Sequence, residues 1–368
     1  MQHIVDRIRQ HELRFLSCAR NYLEAACADR TIPYEGAYVP HSLQLIADLT
    51  LRGGKRVRMA LAYEAARLAG AEYDSTEANT AALGIELLDT AQLIQDDIVD
   101  NSDGRRGGWS VPYALRHLAP HPSAQGLSAV VNDLGLVLAL QAVSAAGLPD
   151  AQSNAMTGVL VDATKAVCIG QIMDIEGRQE GHWSEIGIEH MHEDKSARAC
   201  LLPAVRLGLL AADRADLAFS SSVHRYGIAL GVAYQVGNDY ADMFSDSEVN
   251  RRRAGNDIRA GVPSVAIREL LRQATGDEKR ELDLIIGNPN ASDDQVDTVR
   301  SMMDAHQIRP IVAGEAQRYA RAAAQEANTW SSWGQADALT FLRDMPRWAL
   351  GCFSVPLGPL ETDPLFLS

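Results

Sequence analysis

Cysteine and positive charge are both scarce in this 368-residue chain. The five cysteines, Cys18, Cys27, Cys168, Cys200 and Cys352, show no CxxC spacing and read as reduced, mostly buried thiols rather than a metal site or a disulfide framework. Only 34 Lys+Arg stand against 48 Asp+Glu, a net charge of −14, which argues against nucleic acid as a partner. Strand signatures are nearly absent, and no Pro/Gly/Ser-rich linker or low-complexity tract divides the sequence. No uninterrupted apolar run reads as a transmembrane segment, and Met1 to Gln10 is charged and amphipathic rather than a signal peptide, so a soluble cytoplasmic protein is expected.

What remains is helix. Alanine- and leucine-rich stretches with helical periodicity cover 59–70, 80–95, 126–146, 155–177, 197–212, 222–243, 263–274 and 313–328. Breaks fall at Gly53-Gly54, Gly107-Gly108, His117 to Ser123, Gly147 to Asp150 and Gly287 to Asn290. Apolar residues make up 46% of the chain, enough for a sizeable core. The expectation is an all-α fold, one domain over 1–354 built as a bundle of roughly ten or more helices around a deep apolar cavity. The tail 355–368 carries three prolines and is expected along the surface or mobile.

Within two of these apolar helices sit acidic clusters of the same shape, about 140 residues apart: Asp96-Asp97-Ile98-Val99-Asp100 and Asn238-Asp239-Tyr240-Ala241-Asp242. Positions i and i+4 share a helix face, so Asp96 projects with Asp100 and Asn238 with Asp242. Carboxylates crowded at the end of a buried helix repel one another unless a cation neutralises them. Oxygen ligands without His or Cys favour Mg2+, which prefers a few carboxylates together with phosphate oxygens. Basic residues gather at Gly53-Gly54-Lys55-Arg56-Val57-Arg58, Arg105-Arg106, Lys195 and Arg251-Arg252-Arg253, a grouping that diphosphate recognition explains.

Together these elements resemble the trans-isoprenyl diphosphate synthases of the polyprenyl synthetase family. The likeness runs from about Leu51 to Val265 through GGKRVR at 53–58, QDDIVDNSDGRRG at 95–107, GQIMD at 170–174, KS at 195–196 and YQVGNDYAD at 234–242. It implies the isoprenoid synthase type I helical bundle, a homodimer, and transfer of an allylic prenyl diphosphate to isopentenyl diphosphate. By the same resemblance Asp96, Asp97, Asp100, Asn238, Asp239 and Asp242 hold Mg2+. Arg105, Lys195 and Arg252 take the allylic diphosphate, and Lys55, Arg58 and Arg106 take the isopentenyl diphosphate. Ser196 and Gln235 lie near the forming cation. Asp96, Asp100, Arg105, Lys195 and Gln235 form the catalytic set, while Gln171 and Asp174 cap or bridge helices. Product length is limited in the family about five positions before the first aspartate. Here that is the small Ala91, with Gln92 beside it and Leu87 and Leu88 one layer deeper, which points to geranylgeranyl diphosphate.

Departures from the family pattern concentrate on the acceptor. Asp89 replaces a His or Gln and would repel a diphosphate unless it is protonated or turned toward Lys55 or Arg58. Asn238 replaces an aspartate, Val262 a lysine and Gln95 a His. Asn238, Asp242 and Asp246 also have the spacing of the second metal motif of class I terpene cyclases, so cyclisation or prenyl transfer to another acceptor is the alternative. A non-catalytic subunit of a hetero-oligomer is a third.

Overall fold

The computed structural model describes residues 1–29, 34–120, 122–180, 185–244 and 255–366. Its first half runs through helices α1 (Gln2–Ala28), α2 (Tyr38–Leu51), α3 (Val57–Leu68) and α4 (Thr76–Val99). A two-residue hairpin follows, β1 (Gly104–Arg105) and β2 (Gly108–Trp109), then α5 (Val111–Leu118), α6 (Ser123–Ser144) and α7 (Asp150–Glu180). Helix α8 (Glu185–His192) runs into a π-helical stretch, Glu193–Leu201, and on into α9 (Leu202–Ala211), α10 (Ala215–Ala218) and α11 (Ser221–Phe244). The remaining helices are α12 (Asn256–Ala260), α13 (Val265–Gln273), α14 (Gly276–Ile285), α15 (Asp293–Ala305), α16 (Ile308–Asn328) and α17 (Ala336–Gly351).

Local chemistry sets many of the helix starts. Ser75, Ser110 and Ser264 each accept a backbone N–H three residues on, and Thr275 with Glu278 and Ser292 with Gln295 close capping boxes. Helices α3, α4 and α9 carry long runs of buried residues, because they are surrounded by other helices. One apolar cluster gathers α1, α3, α4, α9 and the N-terminal half of α11. A second gathers the C-terminal half of α11 with α13 to α16. Ile228, Tyr234 and Tyr319 pack against both clusters.

The tail runs mostly exposed but is anchored: Val355, Leu360 and Phe366 are buried against the second cluster, the last two in short 3-10 turns. Helices α6 and α7 are also long and apolar enough, by length and composition alone, to cross a membrane. Their neighbours fit bundle helices better. Gly84 of α4 lies against Val143 of α6 and Leu160 of α7, and Ala91 of α4 lies against Gly135 of α6.

The π-helical stretch is packed closely on two sides. A Cβ on Gly170 of α7 would come within 2.7 Å of the Lys195 backbone nitrogen, and one on Gly231 of α11 within 2.3 Å of the Ala197 Cα. Glycine on both sides lets α7 and α11 close on the widened turn, which presents Lys195 and Ser196 between them.

Candidate active site

Helix α4 brings Asp96, Asp97 and Asp100 to its C-terminal end, where the helix dipole is already negative. Three basic side chains answer that charge from three different elements. Arg105, on the hairpin, donates from Nη2 to Asp96 Oδ2 at 2.8 Å and from Nε to Asp97 Oδ1 at 2.8 Å. Lys195, on the π-helical stretch, donates to Asp174 Oδ2 at 2.6 Å and stands 3.7 Å from Asp96 Oδ1. Arg178 of α7 donates to Asp100 Oδ1 at 2.9 Å and grips both Asp174 oxygens at 3.1 and 2.7 Å.

The hairpin owes its reach to a two-residue turn in which Arg106 and Gly107 both have positive φ, 51° and 76°. Arg105 thereby points to the acidic cluster and Arg106 away from it, toward Asp89.

The electrostatics follow from burial and pairing. Burial and the neighbouring Asp96 push the Asp100 carboxyl above the ordinary aspartate range, with Arg178 only partly opposing them. Asp174 goes the other way: burial alone would raise it, but Lys195 and Arg178 hold it below that range. Lys195 is raised in turn, since Asp96 and Asp174 outweigh the burial of its ammonium group. Asp96 and Asp100, one helical turn apart, offer a harder, doubly charged cation the oxygens that Arg105 and Arg178 now hold. The donor set of Asp96 and Asp100 therefore fits a divalent metal. Among the described residues no three carboxylate or imidazole groups already converge on one point, because basic side chains hold these oxygens instead.

The second cluster is tied to the first through the π-helical stretch. Ser196 donates to Gln235 Oε1, Gln235 Nε2 donates to Asp239 Oδ1 at 2.8 Å, and His192 Nε2 lies 3.3 Å from Asp239 Oδ2. Asp242 Oδ2 accepts the Asp257 backbone N–H at 3.1 Å, and Asn238 is exposed. Asp97 and Asp239 are both buried and turned to these partners, one position off the faces that carry Asp96 with Asp100 and Asn238 with Asp242. Arg252 and Asp246 lie outside the described residues.

The GGKRVR segment, beside Asp89 farther back along α4, does two jobs. Arg56, buried with φ 51°, donates to Glu86 Oε2 at 2.6 Å and to the Thr50 and Arg52 carbonyls, which fixes the loop to α2 and α4. Lys55 is accessible, with its ammonium 3.2 Å from the centre of the Phe353 ring, while Arg58 Nη2 approaches Asp89 Oδ1 at 3.0 Å. Surrounding protein pushes Lys55 down to about 8. Ala91 is buried, as are Leu87, Leu88 and Ile94, whereas Gln92 turns aside to donate to the Ala199 carbonyl and accept from Cys200 Sγ.

The family model for polyprenyl synthetases matches residues 40–303. The chain belongs to the polyprenyl synthetase family. This polyprenyl synthetase is 28% identical over 248 residues to a short chain isoprenyl diphosphate synthase of Methanocaldococcus jannaschii, covering 67% of the chain and 72% of that relative. It is 27% identical over 238 residues to the octaprenyl diphosphate synthase of Escherichia coli, covering 65% and 68%. Its fold matches the geranylgeranyl pyrophosphate synthase of Corynebacterium glutamicum, solved with isoprenyl diphosphate and magnesium. The TM-score is 0.83 at 20% identity, over 93% of this chain and 98% of that one. The enzyme is thus a prenyltransferase with the all-α isoprenoid synthase fold. Arg178 is the site residue that the sequence reading passed over; its place one helical turn after Asp174 is the signal that marks it.

Proposed function

We propose that this polyprenyl synthetase joins an allylic diphosphate to isopentenyl diphosphate and makes geranylgeranyl diphosphate. The observation that carries the reading is the ring of Arg105, Lys195 and Arg178 around Asp96 and Asp100, joined through Ser196 and Gln235 to the second cluster. Breaking an allylic carbon–oxygen bond leaves a carbocation and a diphosphate, so catalysis lies in holding the leaving group and excluding water. Arg105 and Lys195 bind the departing oxygens. Mg2+ held by Asp96 and Asp100 with Asn238 and Asp242 would supply the rest of the neutralising charge. Ser196 and Gln235 present oxygens near the cation, and buried Leu87, Leu88, Ala91 and Ile94 keep the chain dry. The isopentenyl double bond attacks the cation, and the proton lost afterwards passes to the released diphosphate. Two copies would meet on α6 and α7, where Val130, Val137, Val161, Ile169 and Ile172 are exposed.

Incubation with Mg2+ and geranyl, farnesyl or geranylgeranyl diphosphate, each with and without isopentenyl diphosphate, tests the reaction. A longer prenyl diphosphate formed only with isopentenyl diphosphate supports it, and a hydrocarbon or alcohol formed without it favours a cyclase instead. Ala91→Phe, which adds a ring where α4 meets Gly135 of α6, is expected to shorten the main product by at least one isoprene unit. An unchanged product would remove Ala91 from the chain-length wall.

A pH dependence follows from Lys55. Its ammonium is charged below about 8 and neutral above it, so the isopentenyl KM is expected to rise as pH passes that value while the allylic KM does not. Lys55→Arg, which stays charged, should move the rise to higher pH; an identical profile in the variant would mean that Lys55 is not the titrating group.

A further inference from the structure

Three cations face the acceptor on the reading above: one rests on an aromatic ring and two share a single carboxylate. Lys55 rests on an aromatic ring, a contact that any diphosphate oxygen can replace. Arg106 donates to Asp89 Oδ2 at 2.6 Å, and Arg58 closes on Asp89 Oδ1 at 3.0 Å without hydrogen-bond alignment, leaving its buried Nε unpartnered. Asp89 itself is 1% exposed and lies on α4 two turns before Asp96, on the same face. Burial opposes its charge, but Arg58, Arg106 and Arg56 outweigh burial and keep it ionised, below the ordinary aspartate range.

We infer that Asp89 is a specificity-determining residue of the acceptor subsite: its carboxylate occupies the two guanidinium groups that an acceptor diphosphate would use, and so weakens that acceptor's binding. The inference rests on the proposed acceptor role of Lys55, Arg58 and Arg106. Two guanidinium charges against one buried carboxylate leave a single net positive charge where the arginines alone would offer two. An incoming diphosphate must share the arginines with Asp89 or displace it, and stands within a few ångströms of a like charge in either case. A neutral side chain at this position removes the competitor and leaves the donors.

The test uses the full chain with Mg2+ as wild type, Asp89→Asn and Asp89→His. Asparagine keeps an oxygen for Arg106, and thermal melting checks that both variants fold. Binding of isopentenyl diphosphate is measured by calorimetry with the allylic site filled by a non-ionising thio analogue of farnesyl diphosphate, and KM values are measured separately. The expected result is that isopentenyl diphosphate binds at least about tenfold tighter to one or both variants and that its KM falls in step, with the allylic KM little moved. Unchanged or weaker binding in both variants overturns the inference, and shows that Asp89 holds the arginines in place for the acceptor. Tighter binding without elongation leaves the inference standing and removes the proposed condensation instead.

Discussion

Asp96→Ala is expected to lower diphosphate release from farnesyl diphosphate by on the order of 10³-fold or more. Asp96 accepts from Arg105 and stands beside Lys195, so its removal takes one counter-charge from each cation, leaving Arg105 on Asp97 and Lys195 on Asp174, while deleting one oxygen of the proposed metal set. Both cations remain in place and less neutralised for an allylic diphosphate, so ground-state binding is kept or tightened. The charge developing on the leaving group loses the metal's contribution, and the cost falls on kcat rather than on KM. Asp96→Asn, which keeps an oxygen and loses the charge, should fall between the two. Pyrophosphate release followed at saturating substrate and varied Mg2+ checks both variants. Near-normal turnover of Asp96→Ala would sink the metal assignment, and a raised allylic KM with intact kcat would make Asp96 a simple binding group.

The parts of this molecule that were legible in its sequence are those where residue type alone dictates the outcome. The alanine- and leucine-rich stretches correspond to α3, α4, α6, α7, α9, α11, α13 and α16, and of these α3, α4 and α9, surrounded by other helices, are apolar on nearly every face. Helix α1 escaped the reading for the opposite reason. It buries only a narrow stripe, Ile4, Ile8, His11, Phe15, Ala19 and Leu23, on an otherwise polar 27-residue helix. The site divides in the same way. The i,i+4 spacing placed Asp96 with Asp100, but pairing across the bundle decides the rest. Neither the link from Arg178 to Asp100, 78 positions away, nor the turn of Asp89 toward Arg106 as well as Arg58 is encoded in local spacing. The widened π-helical turn at Glu193–Leu201 is approached closely by glycines on two other helices, and no pattern within the segment announces it.

Glu86→Ala should be the most damaging single substitution for stability, at a cost of about 3–5 kcal/mol. Glu86 is 2% exposed on α4. It accepts from Arg56 Nη1 at 2.6 Å and from the Met59 backbone N–H at 3.1 Å. Alanine leaves a buried guanidinium without its principal counter-charge and a cavity where the carboxylate stood. Glu12, at 3.2 Å from Arg56 Nε, is half-exposed and compensates only in part. Exchanging both partners for apolar residues of similar size, Arg56→Met with Glu86→Leu, should recover much of the loss, since the buried charge then disappears together with its partner. Denaturant unfolding of both single variants and the double variant measures this, and a double variant no more stable than Glu86→Ala would show that the damage comes from packing rather than from the stranded charge. The same pair also has a functional consequence. Arg56 holds the loop between Lys55 and Arg58 by its contacts to Thr50 and Arg52, so variants that fold without it should bind isopentenyl diphosphate more weakly. The allylic KM, which the proposed reading assigns to Arg105 and Lys195 across the bundle, should stay close to that of the wild type.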